Sequence, residues 1–482
     1  MPAVKVIAMP KGEAGEAPTE SDPGDVLTFE VLLRSVEEQF PLVLAALEEV
    51  QIAAGEQLSA QGNFDLQIGA GADFGLQGFY ENERGGVFLE QPTTLGGATF
   101  FGGYKLGQGD FPIWEGDRRT NEDGEFSAGV NLPLLRGREI DARRLALWQA
   151  RINQAQAQPI VIRSRLDATL KAATAYWKWV AAGQKLKIAE GLLALAEDRQ
   201  QGIDDFVAEG EFAPIVSTDN QRLLADRRAI VFQSERDLQE AAIALSLFWR
   251  ASDGAPRIPS RAQLPPGLPT PQDPALFVRE GDVELALSQR PEVRALELEL
   301  ESIQLDVQKT ENDLLPLLDV AVAASQDYGD AVSDPDDKGP FEFDAFVRFD
   351  LPLQRRAARG RLQSLAGKEI QTERKLQLTR DTVVAQVRDA ESALRQTWLI
   401  LDQSRINVRL AGAMEEAERI ELFEGESNLL LVNIREQDTA RAEADLVDVI
   451  AEHFRSLAVY RARLGVPYDE VLRVPPPPPQ EQ

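Results

Sequence analysis

The chain contains no cysteine. That excludes a disulfide framework, a thiolate metal site and a lipid-modified N-terminal cysteine. It has one histidine, His453, and three methionines, so a transition-metal centre built on imidazoles is excluded too. No run of about eighteen apolar residues occurs, and no transmembrane helix is expected. Residues 1–26 are polar and rich in Gly, Pro and Glu, without the apolar core of a signal peptide. They are expected to be disordered. Positive charge is scarce: 51 Lys and Arg face 79 Asp and Glu, a net charge of -28. That argues against nucleic acid and anionic headgroups as partners. It fits either a cation-attracting cavity or a plain acidic surface.

What is present is long helical periodicity, broken twice by the same tripeptide. Glu209-Gly210-Glu211 and Glu424-Gly425-Glu426 each end a helix-period run of roughly seventy residues. Each is followed by a second, shorter run. A lone Gly there fits a helix C-cap, because it reaches the left-handed conformation without a Cβ clash. Each copy therefore reads as the tip of a helical hairpin. At 1.5 Å per residue the longer arm spans about 100 Å, which suits a rod or a tube rather than a compact core.

Between the helices the period changes to two. Strands are expected at about 64–78, 125–134, 316–327 and 342–352. Leu66, Ile68, Ala70, Ala72, Phe74 and Leu76 alternate with Asp65, Gln67, Gly69, Gly71, Asp73 and Gly75. Phe343, Ala345, Val347, Phe349 and Leu351 alternate with Glu342, Asp344, Arg348 and Asp350. Residues 80–123, with TTLGGATFFGGYKLGQGDFPIW at their centre, are read as a Gly-rich irregular insertion. Leu132-Pro133-Leu134 recurs as Leu351-Pro352-Leu353, and Pro41 as Pro291. The landmarks keep one order, so the chain reads as an internal duplication. Residues 27–250 form the first repeat and 279–467 the second. A Pro-rich linker at 251–278 joins them, and 468–482 is an exposed polyproline tail.

Four amphipathic strands between such long helices lack an obvious protein partner for their apolar faces. Lipid fits them, apolar out and polar in. Four strands cannot close a barrel, and open edges are not tolerated in a bilayer. Three chains would supply twelve. Alanines such as Ala172, Ala173, Ala181, Ala189 and Ala442 let helices approach closely. The fold class expected is mainly α with β: a long-helix α-barrel on a twelve-stranded transmembrane β-barrel, formed by a trimer. The competing reading is a soluble coiled-coil scaffold carrying two small sheets.

The hairpins EGEFAPIVSTDNQRLL and EGESNLLLVNIREQDTARA, the junctions NLPLLRGREID and FDLPLQRRAARG, and the segment ALSLFWR resemble the TolC-like outer-membrane efflux proteins. The resemblance spans residues 27–467. It implies a homotrimeric channel-tunnel in the outer membrane with a periplasmic extension. That duct would be passive and would serve a tripartite efflux or type I secretion system. Its partners would be a periplasmic adaptor, an inner-membrane transporter and outer-membrane lipid. An export signal is then expected outside this sequence. The resemblance also implies a gate at the periplasmic tips, with candidates Asp219, Asn220, Leu431, Asn433, Ile434, Arg435 and Glu436. Leu431 and Ile434 stand where some relatives carry constricting acids. Glu209, Gly210, Glu211, Glu424, Gly425 and Glu426 would meet the adaptor.

No catalytic constellation is legible, and no enzyme activity, cofactor or metal is expected. His453, beside Phe454 and Arg455, reads as a packing histidine. GGATFFGGYKLGQG lacks the Lys-Ser/Thr of a phosphate loop. Asp204 and Asp205 read as charged-face residues, and Trp177 and Trp179 as packing.

Overall fold

The structure, a computed structural model, describes residues 25–111, 119–332 and 339–466. Apart from Asp25 and Val26, the expected disordered N-terminal segment lies outside them, as does the polyproline tail 468–482. The elements, in chain order, are α1 (Phe29–Gln39), α2 (Pro41–Gln61), β1 (Gln67–Gly75), β2 (Asn82–Pro92), β3 (Thr99–Gly109), β4 (Glu125–Pro133), α3 (Ala142–Ala208), α4 (Pro214–Ser246), α5 (Asp282–Gln289), α6 (Pro291–Asn312), β5 (Leu317–Asp327), β6 (Phe341–Asp350), α7 (Arg356–Glu424) and α8 (Leu429–Leu464). They are shared between two compact units. One holds Met1–Leu44, Arg165–Glu280 and Arg388–Gln482; the other holds Ala45–Ser164 and Gly281–Val387. Each unit draws on both halves of the sequence.

The first unit is helical. Phe29, Leu32 and Val36 of α1 pack with Ala172, Ala173, Tyr176 and Trp179 of α3 and with Ala241 and Leu245 of α4. The small side chains bring the backbones close, and the aromatic rings fill what remains. Trp179 is fully buried, and Trp177 stacks on Phe454 with centroids 4.6 Å apart. Both tryptophans are core residues, as their sequence setting implies. His453 is buried between Trp398 and Phe454. Among the described residues its ring nitrogens make no hydrogen bond of good geometry, and the Gln272 backbone is the one polar group near enough to favour its charged form. Burial, helped by the Arg405 charge, holds the imidazole below its ordinary value. In the Pro-rich segment, Ser260 and Gln263 form a capping box around one short turn. Leu264 of that segment enters the core.

The second unit carries one antiparallel sheet in the order β1-β2-β3-β4-β5-β6. Four strands were expected; among the described residues there are six. The 80–123 insertion is not irregular. It contributes the hairpin β2–β3, inserted in the plane of the sheet between β1 and β4. Glycines at 85, 86, 102, 103 and 107 remove the side chains from which a two-residue period is read. Pairing with neighbours, invisible in one dimension, supplies the strand character instead. Twelve strands from three copies therefore no longer follows; three copies would supply eighteen.

The register aligns the faces of all six strands. Val130 lies opposite Val322, which lies opposite Ala345. Leu132, Val320 and Val347 form the next row. The alternate rows hold Ser127 beside Ser325 and Asp319 beside Arg348. The apolar rows are open: Ile68 is 71% exposed and Phe343 66%.

Candidate gate at the helical hairpin tips

The two tips are built by the same backbone device. Gly210 has φ +82° and Gly425 φ +80°. The Glu211 N–H donates to the Phe206 carbonyl at 2.9 Å, and the Gly210 N–H to Val207 at 3.1 Å. At the second tip the Glu426 N–H donates to Glu421 at 2.9 Å, and the Gly425 N–H to Leu422 at 3.1 Å. These paired bonds are a Schellman closure, which satisfies carbonyls that a helix end would otherwise leave bare. Glu209, Glu211, Glu424 and Glu426 are all exposed around the glycines. Apolar residues are exposed with them, Phe423 at 93% and Ile215 at 69%.

Beyond the glycines the sequence candidates separate. Asp219 is exposed and pairs one turn along its own helix with Arg222 at 3.5 Å. Asn220 is buried, and its amide donates to the Gln200 side chain at 2.8 Å and to the Ala196 carbonyl at 3.3 Å. Gln200 in turn donates to Asp204 at 2.7 Å, and the Ser217 hydroxyl donates to the same carboxylate at 2.7 Å. Asp204 is therefore part of the first tip's polar network, not a bare charged-face residue. Leu431 and Ile434 are about two-fifths exposed, and no charge occupies their positions.

Glu436 is the most buried of the candidates and the best partnered. Its carboxylate accepts from Arg199 of α3 and, at 3.0 Å, from Arg227 of α4. Arg419 of α7 stands at 3.5 Å. Asn433 accepts from Arg199 as well, and Glu415 pairs with Arg419 at 2.6 Å. Arg227 also donates to the Leu192 carbonyl at 2.6 Å. Burial alone would raise the Glu436 carboxyl, but the guanidinium groups of Arg199 and Arg227 outweigh it and hold it below its ordinary value. Burial holds the Arg227 guanidinium below its own ordinary value, against the pull of Glu436. One carboxylate thus ties α3, α4, α7 and α8 together. Next to it, Arg435 reaches Glu418 at 3.6 Å and Asp438 at 3.8 Å, and the Ser427 hydroxyl donates to Glu418.

Sequence reading singled out Glu436 and Asn433 but missed Arg199, Arg227, Glu418 and Arg419. No local motif marks them, because they come from three other helices. The only signal was arginine at positions where a helical face should be apolar.

The comparisons with known proteins bear on the whole chain. Neither a protein-family model nor a curated protein matches the sequence. Solved structures do match. The outer-membrane channel OprN is 15% identical, with a TM-score of 0.62, over 92% of this chain and 90% of that one. VceC, an outer membrane protein of Vibrio cholerae, is 14% identical with a TM-score of 0.62, over 91% and 96%. The MtrE outer membrane channel of Neisseria gonorrhoeae, solved in its open state, is 16% identical with a TM-score of 0.62, over 91% and 88%. OprN and MtrE are outer-membrane channels. At such low identity and near-complete coverage the likeness is one of fold, and the chain has the fold of the TolC-like outer-membrane efflux channels.

Proposed function

We propose that the chain is the outer-membrane duct of a tripartite efflux or type I secretion system. It assembles as a homotrimer and carries cargo without binding it tightly or transforming it. The observation that carries this reading is the sheet. Its rows alternate between an open, mostly apolar face and a mostly polar one, with Phe88, Phe101 and Phe346 as exceptions on the polar side, and its edges β1 and β6 are each paired on one side only. A soluble scaffold would leave that apolar face in water, where patches of such extent are rare. Lipid accepts it, and closure through further copies removes the edges. The neighbouring channels support the same reading.

In this reading the helical tips face the periplasm and form the gate. Glutamates surrounding exposed Phe423 and Ile215 make a surface suited to a periplasmic adaptor, which in turn recruits an inner-membrane transporter. Leu431 and Ile434 offer an apolar constriction in place of an acidic ring. Energy comes from the transporter, consistent with a chain in which no catalytic constellation is legible. The duplicated order of strands and long helices gives each copy two hairpins with two tips.

The test is membrane assembly of the natively expressed full-length protein. Outer-membrane recovery and a trimer by native mass spectrometry in detergent are expected. Val347→Arg places a charge on the apolar face and should cost about 2–4 kcal/mol near mid-bilayer. Arg348→Gln, on the polar face, should leave the trimer yield unchanged. Recovery in the soluble fraction, or equal effects of the two substitutions, would sink the proposal.

A further inference from the structure

The hairpin β2–β3 has no counterpart in the second half of the chain, where β5 passes to β6 without an intervening strand among the described residues. Three features make it part of the barrel wall rather than an appendage. First, it pairs on both sides: β2 along the whole of β1, and β3 with β4. Second, its faces match in the main, with Phe88 and Phe101 standing on the polar face and Gln91 on the apolar one. Leu89 lies opposite Ile68, and Phe100 opposite Val130, which continues the apolar rows. Third, its polar face is tied to each neighbour by a directly opposed ion pair. Arg84 meets Asp73 at 3.5 Å on one side, and Lys105 meets Glu125 at 3.0 Å on the other. A cavity of about 890 Å³ lies against Asp73, Arg84, Lys105, Glu125, Glu342 and Asp344, so the polar face is the concave one.

An insertion of two strands also preserves parity. The sheet runs antiparallel throughout, so removing β2 and β3 would leave β1 and β4 antiparallel and able to pair. Through Gly86 and Lys105, Glu125 lies level with Gly71, so a two-residue turn from Gly75 to Glu125 slides β4 by four residues, an even shift that keeps every side chain on its own face. The hairpin is therefore a module that widens the wall while leaving the direction of β1 and β4 and the face of each of their side chains the same.

We infer that this hairpin sets the bore of the duct, and that the membrane-spanning barrel has eighteen strands rather than twelve. The inference rests on the trimeric reading above. Barrel diameter grows in proportion to strand number. With strands about 4.8 Å apart and tilted about 40°, twelve strands give a backbone diameter of about 24 Å and eighteen about 36 Å. Inward side chains take about 10 Å of either. The narrower bore would admit a single α-helix, about 10–12 Å wide with its side chains. The wider one admits a helical hairpin. The cargo class it fits at the membrane is a polypeptide with some tertiary structure, or a solute of that girth.

Two measurements on the full-length trimer test this. Electron cryomicroscopy in lipid nanodiscs should count eighteen strands. Replacing residues 76–124 by Asn-Gly should narrow the ring about 1.5-fold. Because the chain has no native cysteine, Ser127→Cys on the polar face of β4 gives a single reporter. It should react with a maleimide-bearing probe about 20 Å wide, the breadth of two packed helices, added from outside. In the shortened chain it should react with small maleimides only. A membrane trimer with twelve strands, or a ring unchanged by the deletion, overturns the inference and leaves the duct reading intact. An eighteen-stranded ring that excludes the wide probe overturns the assignment of cargo size. Should the shortened chain fail to fold, the wild-type strand count and probe reaction decide alone. Absence of any membrane trimer would instead refute the duct reading.

Discussion

The two hairpin tips share one backbone and differ in everything attached to it. Both close through a left-handed glycine and the same pair of reversed hydrogen bonds. After the first tip, α4 starts at Pro214 with Ala213 before it and no side-chain cap. After the second, the Asn428 side chain caps α8 by accepting from the Leu431 N–H at 3.1 Å. Behind the first tip lies a hydrogen-bonded network of Asn220, Gln200 and Ser217 that ends on the exposed Asp204 carboxylate. Behind the second lies a buried carboxylate among arginines. The turn is a local matter, dictated by one residue type. The polar interior is a tertiary matter, and there the two hairpins differ. The carboxylate comes from the second hairpin but fastens both by charge, through Arg199 and Arg227 of the first; the first adds side-chain hydrogen bonds of its own, which end on an exposed carboxylate.

The comparison breaks hardest at Glu436. Glu436→Ala leaves Arg199 and Arg227 without their carboxylate partner inside the unit, at a cost of about 3–5 kcal/mol. Asn220→Ala removes a neutral side chain and should cost about 1–3 kcal/mol. Urea unfolding of the two variants should rank them in that order. If they are equal, the charged hub is not what distinguishes the hairpins.

The glycines should show no such asymmetry. A Cβ at either Gly210 or Gly425 would meet nothing within 4 Å, so the cost is backbone conformation alone. Alanine at either position should destabilise by about 1–2 kcal/mol. Hydrogen exchange at the amides of Glu211 and Glu426 should speed up by similar factors.

A smaller effect sharpens the difference at the start of the return helices. Asn428→Ala should cost about 1 kcal/mol, while Ala213→Ser should gain a comparable amount by supplying the missing cap. Local exchange at the first turns of α8 and α4 reads both.

The gentlest probe is pH. His453 is held below its ordinary value of about 6.5, so its contribution is complete above that pH and is lost as pH falls toward its folded value. Glu436 is also held low. Its contribution is complete above the ordinary glutamate range and is lost only as pH falls through its folded value. Acidification from pH 7 to pH 5 should therefore lower the melting temperature mainly through His453, and His453→Gln should flatten that slope. An unchanged slope would place the titration elsewhere.

Much of this molecule is legible as a string. The tip glycines, the proline that opens α2, and the strands flanking the Leu-Pro-Leu turns each rest on a local rule: a left-handed cap, a missing N–H, a two-residue period. The buried tryptophans were read correctly because they stand on faces rich in alanine. Asn220 and Asp204 were harder, because burial depends on what another helix brings. Arg199 and Arg227 interrupt apolar helix faces, and their partner Glu436 arrives from more than two hundred residues away. The hairpin β2–β3 was missed for the same reason. Its glycines erase the side-chain pattern, and only hydrogen bonding to β1 and β4 makes it a wall. By itself the sequence determined where helices end, where strands alternate and which face of each strand is apolar, since those follow from contacts a few residues apart. Tertiary structure alone decided how many strands the sheet has and where the buried charge lies, because pairing and desolvation depend on residues that the chain brings together from afar.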